Sequence, residues 1–147
     1  MFPRGLILAI LIGIISGAIV GVLLVSQQNG EQLEFVEGSS ISIVTDKIDF
    51  DKGEKISIKL INSGTTPLTF SDASYGLKIT GLDGRVLFTP VSAQVISILE
   101  PKEEILFMWD QIKNDGDQAS AGTYKIISNA LDGDKTVKKS ITINIHK

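Results

Sequence analysis

The longest apolar run of the chain extends over twenty residues, from Leu6 to Val25, and contains no charged side chain. At about 1.5 Å of rise per residue it forms a helix of roughly 30 Å, which matches the hydrocarbon core of a bilayer. Arg4 precedes the run, and the basic side of a span stays in the cytoplasm. We predict a cytoplasmic leader over residues 1–5, a transmembrane helix over 6–25, a linker over 26–31 and an extracytoplasmic domain over 32–147, with the lipid bilayer as the first partner.

Four small residues recur at every fourth position of this helix, namely Ala9, Gly13, Gly17 and Gly21. Positions four apart share one helix face, and a face of small residues lets two helix backbones approach closely. The stripe predicts a homo-oligomer formed through the transmembrane helix. A single anchor without a partner helix is the alternative, because glycine is common in membrane helices.

The N-terminus admits two kinds of proteolytic processing. Arg4-Gly5, followed directly by an apolar helix from Leu6, resembles the processing site of archaeal type IV pilin-like proteins, which are cut after the glycine. The resemblance implies a filament subunit whose helix packs in the filament core, although Ile10 stands where bacterial pilins carry a glutamate. Ser16-Gly17-Ala18 offers the small residues of a secretory cleavage site instead.

After residue 31 the pattern changes to short runs in which apolar and polar residues alternate. Ile56, Ile58 and Leu60, for example, share one face of their run. Clusters of Asp, Gly, Asn and Pro separate the runs, as turns do. We predict an all-β fold, an immunoglobulin-like antiparallel β-sandwich of seven to nine strands preceded by one transmembrane helix. The predicted strands cover residues 40–45, 55–62, 75–80, 85–88, 94–99, 104–109, 122–129 and 136–145.

Two aromatic residues are predicted to be structural. Trp109 is the only tryptophan and ends a strand with alternating apolar positions, so we expect it between the sheets. Tyr124 follows Gly122 and Thr123 at the start of a late strand. A tyrosine in that position often closes a corner of a Greek-key sandwich through its hydroxyl group.

Charge and residue types exclude several kinds of chemistry. Of the 14 basic residues, only Arg4 precedes the span. The remaining 13 basic and 17 acidic residues give the rest of the chain a net charge of −4. A net negative charge does not fit nucleic-acid binding. The chain has no cysteine, and His146 is its one histidine, so the usual nucleophile and base sets are missing. We predict a non-enzymatic protein without metal or cofactor. Acidic turns at 114–117 and 132–134 leave calcium as an open alternative.

Four stretches follow one another in the order of a known family: ISIKLINSGTTPLTF (56–70), YGLKITGLDGRVLF (75–88), ILEPKEEILFMWD (98–110) and AGTYKI (121–126). They place a proline turn before a Leu-x-Phe strand, then an Asp-Gly turn, a strand ending in Trp-Asp and a Gly-x-Tyr corner. This order resembles the BsuPI family, the intracellular proteinase inhibitor domain known from bacilli. Lys102 and Ala121 depart from the family pattern, which has Gly and Pro there. The resemblance implies an immunoglobulin-like sandwich, with proteinase inhibition as an alternative function.

We expect a membrane-anchored cell-surface module that binds a protein or envelope partner through its loops, because loops on a rigid sandwich commonly carry binding. The loops in question are 63–67, 71–74, 89–93 and 112–120. The candidate contact residues in or beside them are Ser63, Gly64, Thr65, Thr66, Pro67, Asp72, Tyr75, Pro90, Asn114, Asp115 and Asp117.

Overall fold

A computed structural model describes residues 33–147, which contain ten strands. The predicted span, its small-residue stripe and both processing sites lie outside the described residues. Within residues 33–147 no helix has the length and apolar character needed to span a membrane. The strands are β1 (Ile41–Thr45), β2 (Asp49–Asp51), β3 (Ile56–Asn62), β4 (Leu68–Phe70), β5 (Lys78–Gly81), β6 (Val86–Phe88), β7 (Ser97–Leu99), β8 (Glu104–Trp109), β9 (Gly122–Asp132) and β10 (Lys135–His146).

The strands form two sheets, so the prediction of an all-β, sandwich-like fold is confirmed. The smaller sheet has the order β1-β3-β8, and the larger has β2-β10-β9-β4-β7, with β5 beside β9 and β6 beside β5. Two details differ from the prediction. The described residues contain ten strands rather than seven to nine, because β2 and β4, of three residues each, lie outside the eight predicted runs. One pair, β2 with β10, is parallel.

The strands β4 to β7 form a hairpin that is interrupted in both arms. β4 and β5 both run antiparallel to β9, with Thr69 opposite Leu131 and Lys78 opposite Ile127. β6 pairs with β5, and β7 pairs with β4. Residues 71–77 and 89–96 therefore leave the sheet between two paired stretches of the same arm. The hairpin turns at Gly84, whose φ of 82° suits a glycine.

The core lies between the two sheets. Ile56, Ile58 and Leu60 of β3 are fully buried, and they belong to one apolar cluster with Ile126 of β9 and Ile143 of β10. Strand side chains alternate between faces, so these residues all come from the inward faces. A smaller cluster lies toward the β4–β7 side and consists of Ile41, Leu68, Phe70, Leu99 and Ala130.

Trp109 and Tyr124 lie side by side in the larger cluster. Trp109 is fully buried, and its indole N–H donates to the carbonyl oxygen of Ile112 at 2.9 Å. The rings of Trp109 and Tyr124 meet edge to face with centroids 6.0 Å apart. The Tyr124 hydroxyl donates to the carbonyl oxygen of Ser120 at 2.6 Å, which is the bond of a tyrosine corner.

Candidate functional site

Loop 63–67 packs against the chain that precedes β1. The backbone N–H of Val36 donates to the Ser63 carbonyl at 2.9 Å, and that of Thr65 donates to the Gly38 carbonyl at 2.8 Å. Ser63 and Gly64 are buried, and a Cβ at position 64 would lie 2.1 Å from the Gly38 oxygen. Both positions therefore lack the exposed surface that a binding role requires. Of the rest of this loop, Thr65 and Pro67 are exposed, and Thr66 donates its hydroxyl to Asp132 at 3.2 Å.

The other three predicted loops converge at one edge of the larger sheet. Segments 71–77 and 89–96, the two interruptions of the hairpin, are joined by a hydrogen bond of 3.1 Å from Ala73 N to Ala93 O. Segment 112–118 joins them through Thr89, whose N–H donates to the side-chain oxygen of Asn114 at 3.1 Å. We name segments 71–77, 89–96 and 112–118 the edge-loop cluster.

Asp72 holds the turn that begins segment 71–77. Its carboxylate accepts from the Ser74 hydroxyl and from the Ser74 backbone N–H, the latter at 2.8 Å. These two bonds, with a further one from the side chain of Ser92, hold the pKa of Asp72 below its ordinary value. Through its Oδ1 oxygen, Asp72 therefore orders the turn at the start of segment 71–77.

Tyr75 ties segment 71–77 to both cores. Its ring centroid lies 5.1 Å from that of Phe70 and 6.2 Å from that of Phe107. Its backbone has a φ of 52°, which is uncommon for a residue with a side chain, and its carbonyl oxygen accepts from the Ser128 hydroxyl at 2.8 Å. Next to it, Gly76 lies so close to the Asn129 backbone that a Cβ would approach the Asn129 oxygen to 2.3 Å.

Asn114 closes the outer edge of β6. Its backbone N–H donates to the Leu87 carbonyl at 2.9 Å, while its side chain receives the N–H of Thr89. The neighbouring acids are paired, since the Lys113 ammonium lies 3.2 Å from Asp115 and 3.9 Å from Asp117. Residues 33–147 contain no group of three or more Asp, Glu, His or Cys side chains arranged to hold a metal ion.

The edge-loop cluster carries exposed aliphatic side chains. Val91 is completely exposed, and Ile96 keeps 75% of its surface exposed. Val95 and Ile98 are more than half exposed, and Pro90 beside them is partly buried. No charge occurs over the fourteen residues from Val86 to Leu99. We name Val91, Val95, Ile96 and Ile98 the apolar strip.

The apolar strip ends in an open strand edge. β7 is the last strand of its sheet and, within the described part of the chain, pairs only with β4. The strip therefore combines exposed apolar side chains with unpaired backbone groups. Of its four residues, only Val91 lies in a loop predicted from the sequence, 89–93. The other three lie in the predicted strand 94–99. The charge-free stretch of fourteen residues was the sequence signal that could have marked them.

No known protein family and no curated protein matches this sequence. Among solved structures, the sporulation control protein Spo0M from Bacillus subtilis aligns with a TM-score of 0.44 at 12% sequence identity. The alignment covers 76% of this chain and 51% of Spo0M, so the chain spans about half the length of that structure.

Proposed function

We propose that this protein is a non-enzymatic, membrane-tethered binding module whose BsuPI-like, immunoglobulin-like domain lies outside the cytoplasm. Its partner is a protein segment in an extended conformation that docks on the apolar strip. The observation that carries the proposal is the exposure of Val91 and Ile96 on a charge-free segment leading into the open edge of β7.

Exposed aliphatic residues at an unpaired strand edge are a hazard for a protein that binds nothing there. Such an edge recruits other chains, and proteins usually block it with charges, proline or a covering loop. β6 has that protection, because Asn114 covers its edge. Within residues 33–147 no strand pairs with the outer edge of β7, and Ile98 at its centre is 52% exposed.

The chemistry of the strip defines the class of partner. A strand added to β7 gains backbone hydrogen bonds, and alternate side chains set the specificity. Since Val86 to Leu99 has no charge, the partner segment needs apolar or small uncharged side chains rather than complementary ions. Thr69 of β4 is paired with Ile98 of β7 on one side and with Leu131 of β9 on the other. Paired residues share a face, so Thr69 and Leu131 extend the face of Ile98 across the sheet.

Site-specific cross-linking in native membranes tests the strip. A photoactivatable side chain at Val91 or Ile96 is expected to give a discrete adduct, whereas the same group at Ile48 or Leu82 gives none. Ile48 and Leu82 are 62% and 63% exposed and lie away from the edge-loop cluster, so they are matched controls. Ile96→Lys should abolish the Val91 adduct, while Leu82→Lys should preserve it. Equal adducts at all four positions, or an adduct that survives Ile96→Lys, would refute the proposed site.

The tether has its own test, which the absence of cysteine simplifies. Asp134 is exposed in the β9–β10 hairpin, so Asp134→Cys provides a single reactive thiol. We expect a membrane-impermeant maleimide to label it on intact cells, and we expect the chain to resist alkaline extraction from membranes. Labelling only after lysis, or release at alkaline pH, would contradict the tether.

Two other functions stay predictions from the sequence, namely a pilin-like filament subunit and an anchored proteinase inhibitor. N-terminal sequencing of the native protein separates the first, because Met1, Leu6 or Ile19 as first residue corresponds to an anchor, a subunit cut after Gly5 or a secreted chain. Stoichiometric inhibition of a serine protease by the full chain would support the second.

A further inference from the structure

The outward face of the larger sheet carries three lysines and no acid on its central strands. Along β9 the buried residues Tyr124 and Ile126 face the core, so Lys125 and Ile127 face outward. Residues directly opposite each other in a sheet share a face. Lys78 of β5 is opposite Ile127, and Lys138 of β10 is opposite Asn129. We name Lys78, Lys125 and Lys138, with the intervening Ile127 and Asn129, the lysine face.

The three ammonium groups are separated rather than paired. The three lysines stand on three neighbouring strands, and strand spacing and rise place their Cα atoms roughly 8–15 Å apart. In the part of the chain that the structure describes, none of them forms an ion pair. Two acids of the same sheet have partners of their own: Asp132 at the end of β9 accepts from the Thr66 hydroxyl at 3.2 Å, and Asp49 of β2 accepts from Asn144 at 2.9 Å.

This positive face belongs to a domain with an excess of acidic residues. The sequence after Arg4 has a net charge of −4. The lysine face is therefore positively charged although the net charge of the domain is negative. The charge of Lys78 makes a small contribution to the lowered pKa of Asp72, whose carboxylate accepts from Ser74. The lysine face therefore attracts anions although the domain as a whole repels them.

Aliphatic side chains border the lysine face. Ile127 lies partly buried between the lysines, and Leu131, which is 44% exposed, follows Asn129 on the same face at the end of β9. Lysine heads that reach polar phosphates while stems and aliphatic neighbours contact the acyl boundary are typical of surfaces that lie on lipid.

We propose that the lysine face lies on an anionic phospholipid surface. This inference rests on the proposed tether, because a tether keeps the bilayer at a high effective concentration and lets a weak attraction hold the domain. Anionic headgroups draw lysines to the membrane, and salt screens that attraction within about 10 Å at 0.1 M.

The test uses the full chain in lipid nanodiscs of two compositions, phosphatidylcholine alone and phosphatidylcholine with about 30% phosphatidylglycerol. Asn129→Cys on the lysine face carries an environment-sensitive fluorophore, and Val44→Cys on the outer face of the smaller sheet is the control. Spin-labelled lipid quenches fluorophores that touch the bilayer. We expect about threefold stronger quenching at position 129 than at position 44 in anionic discs, and a loss of this difference at 0.5 M salt.

Charge variants complete the test. The double variant Lys125→Glu with Lys138→Glu should abolish the difference in quenching between positions 129 and 44. The neutral double variant Lys125→Gln with Lys138→Gln should reduce this difference without adding negative charge to the sheet. Equal quenching at positions 129 and 44, or a difference that persists in neutral discs, would overturn the lysine face as a lipid contact. Failure of the chain to resist alkaline extraction would instead overturn the proposed tether, so the two failures are distinct.

Discussion

Asn114 and Leu87 are joined by a backbone hydrogen bond of 2.9 Å, and this bond closes the outer edge of β6. A single loop residue thus replaces a neighbouring strand. In the same hairpin arm, no described residue pairs with the outer edge of β7, so the open edge consists of a few residues beside the apolar strip.

Asn114→Ala should destabilise the domain by about 1 kcal/mol, because it removes the acceptor of the Thr89 N–H. Urea unfolding of the full chain in detergent, followed by the fluorescence of the only tryptophan, measures the change. Asn129→Ala is the control, since Asn129 is an exposed residue of β9. Equal effects of the two substitutions would show that Asn114 does not hold the loop.

Asn62→Ala should cost about 2–4 kcal/mol, which makes it one of the most damaging single changes in the domain. The buried Asn62 amide donates to the carbonyl oxygens of Thr66 and Leu99, each at 2.8 Å, and its oxygen accepts from Gly64 N–H. Removing the side chain leaves these three groups unsatisfied. The same unfolding measurement applies, and a loss below about 1 kcal/mol would contradict the network.

Gly76→Ala should be more destabilising than Gly133→Ala, although both glycines have similar backbone angles. Their φ values are 63° and 57°, so alanine carries a comparable left-handed cost of about 1–2 kcal/mol at each. Of these two positions, only 76 brings the new Cβ into a clash with a backbone oxygen, that of Asn129. Thermal unfolding of both variants isolates the clash, and equal melting temperatures would refute it.

Asp72→Asn should destabilise the domain most above pH 5. The carboxylate has a pKa below its ordinary value, chiefly because the Ser74 side chain donates to it. A lowered folded-state pKa contributes stability above the unfolded pKa, about 3.9, and this contribution is lost as the pH falls through the folded pKa. Unfolding of wild type and variant should therefore converge below about pH 4. A difference independent of pH would contradict the role of the charge.

The strands that sequence predicts well are those with a local pattern. The predicted strand 104–109 matches β8, and 55–62 matches β3 to within one residue. β2 was missed because Asp49–Asp51 has one apolar residue and pairs with Asn144 to His146, some 95 positions away. Residues 94–96 have strand composition but lie in the interrupted part of the hairpin, where they pair with no strand of the described residues.

The candidate site was predictable only in part, since its loops meet through long-range contacts. Asp72, Pro90 and Asn114 are far apart in sequence, and the contacts of Ala73 with Ala93 and of Thr89 with Asn114 bring their loops together. Loop 63–67 has the same turn composition but packs on residues 36–40. The lysines of the lysine face are separated by up to sixty residues, so no charge run marks them in the sequence.

The position of β10 has a consequence for the timing of folding. β10 lies between β2 and β9, and its partners in β2 precede it by about ninety-five residues. The larger sheet therefore cannot be complete before residues 135–146 have left the ribosome, although β4 to β7 can pair with β9 earlier. A domain that completes its sheet last stays incompletely folded for most of its synthesis, and under the proposed export such a chain is the form that passes across a membrane.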